Sequence, residues 1–131
     1  RTILDLGAVD RVLVSSFDER RRRAAVDQLP GVATSASATR FVTALLRAKV
    51  GASGAVRRAL VGVHAVQIPE RALRISTITP RTVAAFHDAG VEVHVWTIND
   101  PDRMRALLDL GVDGIVTDRA DLALAVVAER R

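Results

Sequence analysis

The sequence predicts an α/β protein with a parallel sheet, and three observations carry that prediction. One pattern recurs along the chain: an apolar-periodic helix, then glycine, then a short strand rich in β-branched residues. Each of these glycines fits the left-handed position that ends a helix. The strands are Val/Ile-rich along much of their length, as expected where a sheet is covered on both faces.

Each element has its own signal. Ile3-Leu4-Asp5-Leu6-Gly7 reads as the last turn of a helix and leads into the strand Arg11-Val12-Leu13-Val14-Ser15. Asp18 can cap a helix from Glu19 to about Leu29. Residues 32–36 and 65–68 are shorter strand candidates, the second stopped by Pro69. Between them, residues 38–60 read as one longer helical stretch with Phe41, Val42, Leu45 and Leu46 on one side. Thr79-Pro80 supplies a cap followed by proline at the first helical position. That helix ends at His87-Asp88-Ala89-Gly90 and feeds the strand 91–96. Asn99-Asp100-Pro101-Asp102 repeats the start signal, with acidic groups at the positive end of the dipole. Met104, Leu107 and Leu108 then share an apolar face. Leu110-Gly111 leads into the strand 112–117, and Asp121 starts a last helix with Leu122, Ala125 and Val126 facing inward. About five strands alternating with helices imply parallel pairing through right-handed crossovers. An open doubly wound sheet and part of a (β/α) barrel both fit. Gly51-Ala52-Ser53-Gly54 matches neither a Walker loop nor a dinucleotide fingerprint.

At 131 residues the chain is long enough for one modest domain, and with 3% aromatics its core must be filled by Ala, Val and Leu. The net charge of +4 is almost all arginine on the positive side, Lys49 being the single lysine. The arginines are scattered among acidic residues and aromatics for base stacking are scarce, which argues against a nucleic-acid partner. Glu19-Arg20-Arg21-Arg22-Arg23 reads as a solvated helix start, with contact to an anionic surface as the alternative. Without cysteine there is no disulfide scaffold, thiolate metal site or thiol nucleophile. No apolar run is long enough to span a membrane and no signal peptide is visible. The compartment stays unfixed, with the cytoplasm favoured. Because the chain opens at Arg1 on what reads as a helix end, it is expected to be a single partial domain, residues 1–131 of a larger unit.

In parallel α/β folds function gathers at the C-terminal ends of strands. Four such ends stand out: Ser15-Ser16-Phe17-Asp18, Gln67-Ile68-Pro69, Trp96-Thr97-Ile98-Asn99 and Thr117-Asp118-Arg119. Trp96, the single tryptophan, reads either as a large core or rim residue or as an aromatic wall for the apolar or polyol portion of a substrate. Asn99 reads as a helix cap or a site residue, and Ser16 and Phe17 as a strand–helix corner or part of the site. Asp118 reads as a residue that orients neighbours or holds the next loop. His87, on a helix, and His94, in mid-strand, read as structural or surface residues.

Val93-His94-Val95-Trp96-Thr97-Ile98-Asn99-Asp100-Pro101, with Leu110-Gly111-Val112-Asp113-Gly114-Ile115-Val116-Thr117-Asp118 after it, resembles the end of a glycerophosphodiester phosphodiesterase. Val14-Ser15-Ser16-Phe17-Asp18 resembles that family's serine–phenylalanine strand end. The likeness spans nearly the whole chain and is weakest between Ala36 and Ala65. Ala120 departs from it, standing where the family often has proline.

The resemblance implies a TIM (β/α)8 barrel, with this chain as its C-terminal part of about five βα units. It implies hydrolysis of small-molecule glycerophosphodiesters to an alcohol and glycerol 3-phosphate. It also implies a divalent ion, Mg or Ca, held by carboxylates, with two histidines as acid and base. The family's histidine–arginine–glycine motif, metal ligands and second histidine precede the part present here, so neither catalytic nor metal-ligating residues are expected in this segment. His64, His87 and His94 do not match the motifs. The expected contribution is substrate-side: Trp96 as a wall, with Phe17, Ser16 and Asn99 beside it. Two other readings remain open: a different phosphate-handling barrel enzyme, and a non-catalytic half-barrel assembly or binding module. A half-barrel leaves sheet edges open, so its partner is expected to be the missing N-terminal part or another copy of the chain.

Overall fold

A computed structural model describes residues 2–72 and 75–130. After a short helix α1 (Thr2–Asp5) come β1 (Leu13–Val14), α2 (Glu19–Val26), β2 (Ala33–Thr34), α3 (Ala38–Lys49) and α4 (Ser53–Ala59). Next are β3 (Ala65–Pro69), the hairpin strands β4 (Arg71–Ala72) and β5 (Ile75–Ser76), and α5 (Pro80–His87). The chain ends with β6 (Glu92–Trp96), α6 (Pro101–Asp109), β7 (Gly114–Ile115) and α7 (Ala120–Ala128).

The sheet is parallel, as the alternation predicts. β1 pairs with β2, and β3 with β6 and β6 with β7. A parallel bridge from Ser35 to Ala65 joins the two groups into the order β1-β2-β3-β6-β7. Backbone bonds on both sides of that bridge seal it: His64 N donates to Thr34 O at 2.8 Å and Ala36 N to Ala65 O at 2.9 Å.

Side-chain alternation divides the sheet into two faces. Val66, Ile68, Val93 and Val95 are fully buried against Phe41, Leu45, Val83, Phe86, Met104, Leu107 and Val126 of the helices. Their neighbours Gln67, His94 and Trp96 are only half-buried. Within these residues one face is deeply covered, and the other, carrying Gln67, His94 and Trp96, is covered in part.

Caps appear where the sequence places them, with two departures. Asp18 accepts from Arg21 N at 2.8 Å, and Thr79 and Thr82 form a reciprocal capping box. At α6 the cap is Asp100, which accepts from Arg103 N at 2.7 Å, rather than Asn99. α7 begins at Ala120 without a side-chain cap; Val126 is buried, whereas Ala125 is exposed. The helix-ending glycines Gly7, Gly90 and Gly111 all have positive φ.

The stretch 38–60 is two helices, not one. Gly51, at φ +75°, stands between them and turns the chain where an L side chain would be strained. Within α3, Phe41 and Leu45 are buried as expected, while Leu46 is exposed. The β4–β5 hairpin is a second departure. Its two-residue strands, paired antiparallel, are too short to leave a periodic signal, and they delay the helix after β3.

Candidate functional site

The C-terminal ends of β1, β2, β3 and β6 meet around a cavity of about 240 Å³ lined by Ser15, Ser16, Phe17, Ser35, Ala36, Gln67 and Trp96. Three of the four predicted site residues, Ser16, Phe17 and Trp96, are therefore neighbours here, although 79 positions separate Phe17 from Trp96 in the chain. Their rings meet edge to face, with centroids 6.0 Å apart and planes at 62°. Phe17 keeps 71% of its surface exposed, an unusual state for phenylalanine, and Trp96 is half-buried.

Local structure explains the placement. β1 ends two residues before Ser16, whose hydroxyl accepts from Asp18 N at 3.2 Å. That bond tightens the turn that sends the chain into α2 and leaves Phe17 outside, anchored through its carbonyl to Ala38 N at 3.0 Å. Trp96 is the last residue of β6, paired with Pro69 of β3.

The fourth predicted residue, Asn99, does not line the cavity. Its Oδ1 accepts from Thr117 Oγ1 at 2.8 Å and from Asp118 N at 2.9 Å, and its Nδ2 donates to Asp118 Oδ2 at 3.2 Å. Asn99 thus ties the end of β6 to the end of β7, and Asp118 is its partner in that tie. Sequence reading passed over Ser35 and Ala36, and singled out Gln67 only as a strand end. Gln67 accepts from the Ser15 hydroxyl at 2.7 Å, reaching across β2 to do so.

Among the described residues, the cavity lining carries no ionisable side chain. Charged groups gather elsewhere. Arg22 is 5% exposed on α2 and meets Glu19 through two bonds of 2.8 Å, with its third arm on Thr34 Oγ1 at 3.2 Å. Those bonds from Arg22 hold the Glu19 carboxyl far below the usual carboxylate range, against the opposing effect of burial. Arg22 is therefore not part of a solvated helix start, although Arg20, Arg21 and Arg23 are exposed. At the opposite end of the sheet, Asp113 accepts from Val93 N at 2.7 Å and lies 2.8 Å from His87 Nε2. Burial pushes Asp113 up, but these bonds outweigh it and its carboxyl sits below the ordinary value. His94 lies 3.0 Å from Glu92, in mid-strand on β6. His64 Nδ1 accepts from Thr34 N at 3.2 Å. Among the described residues, no three His, Asp or Glu side chains lie together in a way that could hold a metal ion.

A parallel α/β unit with a cavity where its strands end belongs to the βα-repeat class of folds. The model of the glycerophosphoryl diester phosphodiesterase family matches residues 4–122, and the chain belongs to that family. It is 44% identical over 124 residues to "Probable glycerophosphodiester phosphodiesterase 2" of Mycobacterium tuberculosis (strain ATCC 25618 / H37Rv), covering 94% of this chain and 47% of the relative. The crystal structure of a "Putative glycerophosphoryl diester phosphodiesterase" from Silicibacter pomeroyi DSS-3 is similar over 98% of this chain and 41% of its own, with TM-score 0.71 and 26% identity. A glycerophosphodiester phosphodiesterase from Parabacteroides distasonis ATCC 8503 shares the fold at TM-score 0.62 and 16% identity, over 98% of this chain and 48% of its own. The chain thus spans about half the length of the relatives it matches. Among the described residues, no helix is long and apolar enough to cross a membrane.

Proposed function

We propose that this chain is the substrate-side part of a phosphodiesterase that hydrolyses glycerophosphodiesters to an alcohol and glycerol 3-phosphate. Family membership supports the reaction class. The observation that carries the local role is the Phe17–Trp96 pair standing over an uncharged cavity at the strand ends.

Cleaving a phosphodiester requires neutralisation of charge on the phosphoryl oxygens and proton transfer at the attacking and leaving oxygens. A cavity lined by serine, alanine, glutamine and aromatic rings can hold and orient the carbon chain of a substrate, but it cannot supply either need. The acid–base pair and the ligands of the divalent ion that the family resemblance implies belong outside residues 1–131. Trp96 acts as the wall, Phe17 braces it through their edge contact, and Ser16 shapes the turn that presents Phe17. Asn99 contributes by holding the strand end that carries Trp96. The five parallel strands form the C-terminal part of a barrel, whose remaining strands or a second copy would cover the half-buried face of Gln67, His94 and Trp96.

In the complete reading frame that carries these residues, Trp96→Ala should raise KM for glycerophosphodiesters about tenfold while leaving metal affinity unchanged. Unaltered kinetics across glycerol-containing substrates would remove the wall role.

A further inference from the structure

The geometry points to Gln67, held by Ser15, as the residue that makes this cavity select a neutral hydroxylated carbon chain. This inference rests on the substrate reading above and names what the uncharged cavity recognises.

β1 and β3 are not neighbours; β2 lies between them. Ser15 and Gln67 nevertheless join at 2.7 Å, because β2 presents only Ser35 and Ala36 to the cavity beneath them. The long glutamine side chain spans the gap that two small residues leave open. With the Ser15 hydroxyl donating to Oε1, the amide is fixed in one orientation. Among the described residues its Nε2 has no hydrogen-bond partner, and the residue is half-buried in the cavity lining. A held amide NH₂ in a concave, uncharged lining is a donor prepared for an oxygen acceptor.

Part of the lining is aromatic. Phe17 and Trp96 offer ring surface to carbon, and Ser15, Ser35 and Gln67 offer neutral polar groups. Among the described residues that line the cavity, none offers a counter-ion to a charged amine or a phosphate. A chain of carbons bearing hydroxyls finds both the surfaces it needs. Such a chain occurs in the glycerol portion and in a polyol headgroup.

Binding of four probes to the complete reading frame, by calorimetry, tests this and separates the two sources. Glycerol 3-phosphate is compared with propyl phosphate, and myo-inositol 1-phosphate with cyclohexyl phosphate. Wild type should prefer the hydroxylated member of at least one pair by about tenfold. Gln67→Leu, close in shape, should reduce that preference to about twofold or less while the apolar analogue binds as before. Ser15→Ala should produce a smaller loss in the same direction, because the amide is no longer fixed. Equal weakening of both members by Gln67→Leu, or preference unchanged in both variants, would overturn the assignment. Wild type that shows the preference but hydrolyses no glycerophosphodiester would sink the reaction reading and leave the cavity assignment standing. Turnover with no hydroxyl preference would do the reverse.

Discussion

Around β3, β6 and β7 the sheet is held by apolar packing: Val66, Ile68, Val93 and Val95 meet Phe86, Met104 and Leu107 with almost no exposure. Around β1 and β2 it is held by a polar network. Arg22 of α2 is buried over Thr34, whose hydroxyl donates to Val14 O at 2.9 Å, and Glu19 neutralises the guanidinium. The continuous apolar core does not extend to α2. The two regions meet at the cavity, where Ser15, Ser16 and Phe17 come from the first and Gln67 and Trp96 from the second. The cavity residues therefore depend on two kinds of support: shape on one side, and charge and hydrogen bonding on the other.

The comparison can be broken from the apolar side first. Phe86→Ala should cost about 3–5 kcal/mol, since its ring is fully enclosed and its removal leaves a cavity. Urea unfolding measures this, and a cost below about 1 kcal/mol would mean that apolar packing does not anchor the later strands. On the polar side, Glu19→Ala should cost about 2–4 kcal/mol by leaving Arg22 buried without its counter-charge. Removing the charge as well, in Glu19→Ala with Arg22→Met, should recover much of that loss. Failure to recover would show that α2 is held by something other than this pair.

A third substitution probes the half-buried face. A Cβ added at Gly114 would lie 2.8 Å from His94 Cδ2, so Gly114→Ala should cost about 1–3 kcal/mol. The same change in a His94→Ala background should cost much less, and an equal cost in both would place the strain elsewhere. The smallest effect is one of pH. Arg22 holds the Glu19 carboxyl below its unfolded value, so its stabilising contribution is complete above the ordinary glutamate pKa of about 4.3. It is lost as pH falls through the depressed folded value, because the unfolded chain binds the proton first. Glu19→Gln should therefore unfold with a shallower dependence on pH below about 4.3 than wild type. Parallel profiles would remove Glu19 from the acid response.

The same contrast explains what the sequence made legible. β6 and its flanking helices were readable because Val91, Val93 and Val95 alternate within a β-branched run and Thr79-Pro80 and Asp100-Pro101 punctuate it. The burial of Arg22 was not, since an arginine inside a basic run has the same local pattern whether it faces water or Thr34. The hairpin β4–β5 was hidden by its brevity. The meeting of Phe17 with Trp96 came from family resemblance rather than periodicity. The Ser15–Gln67 bond depends on β2 lying between their strands with small residues, a tertiary fact that no local pattern encodes.

The central claim, that these residues hold substrate while the chemistry lies outside them, is tested most directly by turnover. Residues 1–131 and the complete reading frame that contains them should be assayed side by side with glycerophosphocholine and a divalent metal. The account predicts hydrolysis by the complete frame and none by residues 1–131 alone. Clear metal-dependent turnover by residues 1–131 would contradict it.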